Sequence, residues 1–193
     1  FLTGQGRYVD DLTLPAMSHG YVLRSPHAHA KVIAIRTEAA KRVPGVLGVF
    51  TRADLDADGI GMIPPFITAA ALGGPQGLVT LHPILAKDRV RHVGQPVAFV
   101  VGETLDAARD GAELIEVDYE PLPAVAYTAD ATAPGAPLVW DQAARNVAFE
   151  MQRGDKAATD AAFAKAAHVT KFRIVNNRLS ANTMEPRCSA AEY

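Results

Sequence analysis

Two periods of apolar and polar residues alternate along this chain, and the switches between them mark its elements. Val97, Ala98, Phe99, Val100 and Val101 follow one another without a polar break, the pattern of a strand covered on both faces. Gly102 closes the run and Thr104 is placed to cap a helix. Over 105–115 the period turns helical. Asp106, Arg109, Asp110 and Glu113 share one face, and Leu105, Ala108, Ala112 and Ile115 share the other. Val117 and Tyr119 then alternate with Asp118 and Glu120 until Pro121-Leu122-Pro123 stops a second strand. The order predicted is strand, helix, strand.

Upstream, 19–24 and 31–36 read as strands; Val32 and Ala34 alternate with Ile33 and Ile35, so both faces of the second are apolar. Thr37 is expected to cap a short helix over 38–43, ended by Pro44-Gly45, with a short strand at 46–50. From 56 to 83 the pattern dissolves around Pro64-Pro65 and Gly73-Gly74-Pro75, and so long an irregular stretch in a domain is a functional or mobile loop. The Ala/Thr/Pro/Gly stretch at 131–137 reads as linker. Beyond it come a strand at 146–152, an alanine-rich helix at 156–167 capped by Asp155, and a strand at 168–175. The expected organisation is therefore a first domain at 1–130, a linker at 131–145 and the start of a second domain at 146–193.

Composition narrows the class of protein. The chain has 193 residues, 49% of them hydrophobic and 21% charged, enough for a large core in an α/β domain. A net charge of −2 gives nucleic acid or an anionic membrane no electrostatic hold. No apolar run reaches the length of a membrane span. A lone cysteine, Cys188, excludes an intrachain disulfide and a cysteine metal cage, and suits a reducing, cytoplasmic setting. The chain opens on Phe1 rather than methionine, and Ala190-Ala191-Glu192-Tyr193 reads as a strand broken off in mid-alternation, so a piece of a longer polypeptide is expected.

Several patterns look chemical. Asp54, Asp56, Asp58 and Gly59 reproduce the first half of a calcium loop, but Pro65 stands where the closing glutamate belongs, which favours a solvated acidic turn. His27 and His29 are spaced to share one side of a strand, yet no third ligand accompanies them, so hydrogen-bonded histidines are expected rather than metal ligands. Gly4-Gln5-Gly6 lacks the third glycine and the preceding strand of a dinucleotide loop. Lys87, Arg89 and Arg91 share a face that is either solvated or turned to an acidic partner. Cys188 beside Arg187 has neither a base nor an oxyanion device, and reads as structural. Glu185 and Arg187, two apart, either pair with each other or belong to a cofactor region. No catalytic residue and no metal ligand is assigned.

A set of landmarks adds a family to this reading. Phe1-Leu2-Thr3-Gly4-Gln5-Gly6-Arg7-Tyr8-Val9-Asp10-Asp11 with Leu14-Pro15, then Arg24-Ser25-Pro26-His27-Ala28-His29-Ala30, then Pro44-Gly45-Val46 with Thr51-Arg52-Ala53-Asp54-Leu55, then Arg91-His92-Val93-Gly94-Gln95-Pro96 running into Glu116-Val117-Asp118-Tyr119-Glu120-Pro121, occur in one order. Together they resemble the α/β hammerhead domain that opens the large, molybdenum-carrying subunit of the xanthine dehydrogenase and aldehyde oxidase family, carbon monoxide dehydrogenase types included. Asn176-Asn177-Arg178 and Met184-Glu185-Pro186-Arg187 look like the beginning of the molybdopterin-binding region that follows.

The resemblance implies an α/β (α+β) hammerhead with a mixed sheet and short helices, plus the first strands and helix of the cofactor domain. It also implies a parent enzyme that oxidises aldehydes, purines, other heteroaromatics or carbon monoxide with water as oxygen source. The parent's cofactor would be molybdenum-molybdopterin in a dinucleotide form, with iron-sulfur clusters and FAD on partner domains or subunits and an oligomeric assembly. The pterin loops, the loop that distinguishes substrates and the catalytic glutamate are expected farther along such a chain, so this one supplies scaffold, an interdomain surface and, through the loop at 56–83, a wall of the substrate channel. Asn177, where many relatives carry a glutamine near the cofactor, is the single candidate cofactor-binding residue. The competing readings are a free-standing small-molecule binding domain with the Gly/Pro-rich loop as lid, and a subunit adaptor.

Overall fold

The central strand dictates the arrangement. In the computed structural model, which describes residues 3–66, 68–177, 179, 181–183, 185 and 187–192, the apolar run forms a strand at Pro96–Gly102 in which Val97, Ala98 and Val100 have no solvent exposure. In chain order the strands are β1 (His19–Arg24), β2 (Ala30–Arg36), β3 (Val46–Phe50), β4 (Arg89–Val90), β5 (Pro96–Gly102) and β6 (Glu116–Pro121). The α-helices are α1 (Arg52–Ala57), α2 (Leu105–Glu113) and α3 (Lys156–Lys165). They divide into two three-stranded sheets, β1-β5-β3 and β4-β2-β6, and every pairing is antiparallel. The sheet expected to be mixed is thus two antiparallel ones. The physical reason lies in α2, which carries the chain from β5 in one sheet to β6 in the other, so the two strands are not neighbours and need not run parallel.

Helix α2 is locked to the first sheet by small residues. Thr104 accepts a hydrogen bond from Ala107 N at 3.1 Å, capping the helix as its position predicts. A Cβ on Gly102 would lie 2.7 Å from Ala108 N and 2.8 Å from Thr104 O, so backbone meets backbone where strand turns into helix. One on Gly111 would lie 2.8 Å from Val46 Cγ2 and 3.1 Å from Val100 Cγ1. Glycine inside a helix costs about 1 kcal/mol of propensity, and here that loss is offset by the close seating of α2 on β3 and β5. The resulting core joins Ala40, Val49, Ala98, Val100, Ala108, Ala112 and Ile115. A second cluster, Ala30, Ala86, Val90 and Val97, lies against the other sheet, so β5 contributes to both.

Sheet β4-β2-β6 carries its charge outward. Arg36 bridges Glu116 at 2.9 Å and Asp118 at 2.6 Å, and Lys31 meets Glu120 at 2.7 Å, all across the β2–β6 ladder. The register slips between Val32 and Ala34, and Ile33 stands out at the bulge, 60% exposed.

Several expected elements take other forms. The helix over 38–43 is a single 3-10 turn at Ala40–Arg42, in which Thr37 takes part through its carbonyl, accepting from Lys41 N. The stretch read as irregular from 56 opens on the last two residues of α1, whose entry is fixed by Asp54 accepting from Thr51 N at 2.6 Å and from Thr51 Oγ1 at 2.9 Å. An isolated bridge between Ile63 and His82 then pins the two ends of the loop.

The segment 131–145 is not a bare connector. Asn146 donates to Ala131 O and Pro137 O, each at 2.9 Å, and accepts from Val139 N at 2.8 Å, drawing the segment into a closed loop. Its φ of +57° is one that asparagine adopts more readily than most residues. The strand expected at 146–152 is instead an extended stretch making a single ladder-like bond, Leu78 N to Ala148 O at 2.8 Å, with Phe149 and Met151 laid over Gly77 and Gly74.

Residues 16–152 form one unit and 1–15 with 153–193 another. In the second unit α3 forms as the sequence predicts, with Asp155 accepting from Ala158 N at 2.9 Å, and all of its residues are exposed. Residues 168–175 form no strand, because among the described residues none supplies a partner to their backbone. Replacing Gly102 by alanine forces two backbone segments apart, and is expected to lower unfolding stability by about 1–3 kcal/mol, read as a reduced urea midpoint with an unchanged slope.

Candidate functional site

Two stretches that look chemical in the sequence meet in space. The turn from β1 to β2 carries Ser25, His27 and His29, and the turn entering β5 carries His92, Gly94 and Gln95. Ser25 N donates to Gln95 O at 2.9 Å, Gly94 N donates to Ser25 O at 2.8 Å, and Arg24 Nη1 donates to Gly94 O at 2.8 Å. Gln95 Oε1 accepts from Arg91 N at 2.7 Å, and Ser25 Oγ accepts from His27 N at 3.0 Å. Ser25 is 2% exposed and Gln95 5% exposed, so both polar side chains are spent on backbone groups inside the protein. Gly94 holds a φ of +83°, the left-handed geometry that lets the turn return to Ser25. The outcome is a hydrogen-bonded junction and not a nucleophilic site, because no base reaches Ser25 Oγ in the contacts it makes.

The two histidines are divided between different partners. His27 lies against Tyr119 with ring centroids 4.7 Å apart, and burial, eased by a bond to Ser25, pushes the Tyr119 phenol up from its ordinary value. His29 Nδ1 lies 2.8 Å from Pro123 O; a carbonyl only accepts, so Nδ1 is the protonated nitrogen. That leaves His29 Nε2 as a buried acceptor without a hydrogen-bond partner. Among the described residues no three His, Cys, Asp or Glu side chains converge as metal ligands.

The basic stripe is consumed within the unit. Lys87 reaches Asp56 at 2.9 Å and Arg89 reaches Asp141 at 3.0 Å. Arg91 lies with its guanidinium carbon 3.9 Å above the Trp140 ring and donates through Nε to Val139 O at 3.1 Å, while His82 meets the same indole edge-on. Such a cation–π stack contributes about 0.5–2 kcal/mol according to its desolvation. Of the stripe expected to be solvated or turned to a partner, Arg89 and Arg91 tie β4 to the loop at 131–147, while Lys87 reaches Asp56 of α1 with its side chain largely in solvent.

The acidic turn is spent as well. Asp54 caps α1, and the Thr51 backbone bond, followed by its hydroxyl, holds its carboxyl below the usual range. Asp56 binds Lys87 and, at 2.5 Å, Arg52, and those two cations hold it low, Lys87 foremost. The signal for this role was present in the sequence, since Thr51-Arg52-Ala53-Asp54 has the spacing of a capping box.

In the terminal unit an open depression of about 1200 Å³ is lined by residues including Arg7, Tyr8, Glu185 and Cys188. Glu185 accepts from Val9 N at 3.0 Å. The Cys188 thiol is pushed up, by desolvation first and then by the Asp10 and Glu185 carboxylates, the opposite of what an activated nucleophile needs. Asn177 is exposed. Arg178, Met184 and Pro186, which complete the two landmarks near the end, lie outside the described residues, as do Phe1 and Leu2 of the opening landmark and Tyr193 of the final alternation.

Residues 3–123 match the family described as aldehyde oxidase and xanthine dehydrogenase, a/b hammerhead domain. The chain belongs to that family. The chain is 39% identical over 197 aligned residues to the carbon monoxide dehydrogenase large chain of Afipia carboxidovorans, covering 96% of this chain and 23% of that protein. The nicotine 6-hydroxylase large subunit of Paenarthrobacter nicotinovorans is 34% identical over 192 residues, covering 100% of this chain and 22% of its own. Among solved structures, a Cu,Mo-CO dehydrogenase in the carbon monoxide reduced state superposes with a TM-score of 0.68 at 37% identity, over 86% of this chain and 21% of that one. The hammerhead chain thus spans between a fifth and a quarter of the length of these relatives.

Two consequences of the hammerhead's polar junctions are measurable. Ser25→Ala removes the acceptor of His27 N in a buried setting, and should cost about 1–3 kcal/mol, seen as a lowered urea midpoint without a change of fold by circular dichroism. Asp56 has a folded pKa below its unfolded value, so its contribution is fully present above about pH 4 and is lost as pH falls through the lowered folded value. Asp56→Asn should therefore reduce stability at neutral pH and flatten the acid limb of the stability–pH curve, whereas an unchanged acid limb would show the ion pairs idle.

Proposed function

We propose that this chain is the hammerhead module, with the first elements of the cofactor domain, of a molybdenum hydroxylase large subunit. The observation that carries the reading is the family match over 3–123 joined to 39% identity with a carbon monoxide dehydrogenase large chain across 96% of this chain. In this reading the boundaries are a hammerhead at 1–130, a connection at 131–145 and the opening of the cofactor domain at 146–193. The parent enzyme uses a molybdopterin cofactor in dinucleotide form, passes electrons to iron-sulfur and FAD subunits or domains, works as an oligomer and resides in the cytoplasm.

The described residues do not assemble a holder for the cofactor. Among the described residues His29 Nδ1 is committed to Pro123, Asp56 to Arg52 and Lys87, and one Glu185 oxygen to Val9. Asn177 contributes at most one exposed carboxamide toward the pterin. No chemical step is assigned to these residues; their work is to present rigid surfaces. Within the bridge between Ile63 and His82, Phe66 is wholly exposed, and this loop is the wall offered to a substrate channel.

The test is metal analysis together with turnover. The full-length parent should carry molybdenum and oxidise an aldehyde, a purine, another heteroaromatic or carbon monoxide, while residues 1–193 expressed alone should carry none and oxidise none. Molybdenum-dependent turnover by residues 1–193 alone would overturn the reading.

A further inference from the structure

The face of sheet β1-β5-β3 that turns away from α2 has an unusual composition. The register aligns Val22, Phe99 and Phe50 in one row and Gly20, Val101 and Gly48 in the next. Both glycines lie beneath aromatic rings. A Cβ on Gly20 would fall 2.3 Å from Phe99 Cζ, and one on Gly48 would fall 2.9 Å from Phe50 Cε2. The rings therefore lie down over the flanking strands and flatten the surface. All six positions keep solvent exposure, and Phe50 is 39% exposed. No side chain in these two rows carries a polar atom.

The contrast with the other sheet is instructive. There the exposed positions pair Lys31 with Glu120 and Arg36 with Glu116 and Asp118, the usual dress of a sheet that meets water. The opposite face of β1-β5-β3 is already closed by α2 through Val100 and Ala98. A flat, uncharged grid without donors has nothing with which to orient a polar ligand, a phosphate or an acidic peptide, but it suits a second packed apolar layer. The curated relatives are more than four times as long as the part matched here, which spans 23% of one and 22% of another. We propose that this grid is the seat on which an apolar layer from the rest of the large-subunit polypeptide packs. The inference rests on the reading given under Proposed function and adds the surface by which the module is held.

The experiment uses the full-length large subunit. Hydroxyl-radical footprinting should show Phe50 and Phe99 losing most of the labelling they take up in the urea-unfolded subunit, while Ile33, on the charged sheet, keeps much of its own. Phe50→Lys should make the region 1–193 separable from the remainder by limited proteolysis under conditions where Ile33→Lys does not. Labelling of Phe50 at the level of Ile33 would overturn the proposal, and so would a Phe50→Lys subunit that resists protease like the parent. A change only from dimer to monomer would overturn it too, because it would make the seat an interface between copies. Molybdenum content of the same preparations separates the two ideas: rings protected in a subunit unable to take up molybdenum would sink the functional reading alone, and rings labelled in a molybdenum-loaded subunit would sink this one alone.

Discussion

A strand that is apolar on both sides has to be covered on both sides, and that requirement on Pro96–Gly102 organises the rest of the molecule. Its two edges are taken by β1 and β3, the face of Ala98 and Val100 is closed by α2, and on the other face Val97 is buried in the cluster against the second sheet while Phe99 and Val101 remain half-buried. The cover over the first face is close because Gly102 and Gly111 remove the side chains that would hold the helix off. A strand so enclosed cannot slip by one residue without turning Ala98 and Val100 out of the core, so register follows from burial.

The polar residues that look most like chemistry serve this enclosure. Burying a strand also buries the turns that enter it, and buried backbone groups need partners. Ser25 and Gln95 supply them, and Gly94 supplies the turn that brings them together. Around β4, Arg91 stacks on Trp140 and Arg89 and Lys87 pair with Asp141 and Asp56, side chain to side chain. A family can thus be recognised from residues that hold a junction together. The order Arg24-Ser25-Pro26-His27 and Arg91-His92-Val93-Gly94-Gln95 is two halves of one hydrogen-bonded junction, and each half makes physical sense only beside the other.

Much of this fold is legible in the sequence where local pattern and tertiary demand agree. The strand at His19–Arg24 has the bounds its residues predict, the strand–helix–strand order holds from Pro96 to Pro121, and Thr104 and Asp155 cap the helices they precede. The parts that escape the pattern depend on distant partners. Helix α1 was hidden behind an apparent calcium half-loop, although Thr51 and Asp54 have capping-box spacing. The loop at 131–147 has a linker's composition, yet Asn146 closes it with three hydrogen bonds that no composition reveals. The stretch at 168–175 has strand alternation, but alternation expresses a preference for a sheet and does not provide one.

The same logic describes how the polar groups of this unit are used. A reaction centre needs donors and acceptors held ready but unengaged, whereas a scaffold needs each of them engaged. In the unit formed by 16–152, Asp54, Asp56, Arg89, Arg91, Ser25 and Gln95 are all bound to other protein groups, and among the described residues His29 Nε2 is a buried side-chain atom without a hydrogen-bond partner. Beside them the unit presents an apolar grid of Val22, Phe99, Phe50, Gly20, Val101 and Gly48, exposed or half-buried and with no polar side-chain atom. Engaged polar groups inside and an apolar face outside are the combination that the proposed packing of a further apolar layer would complete.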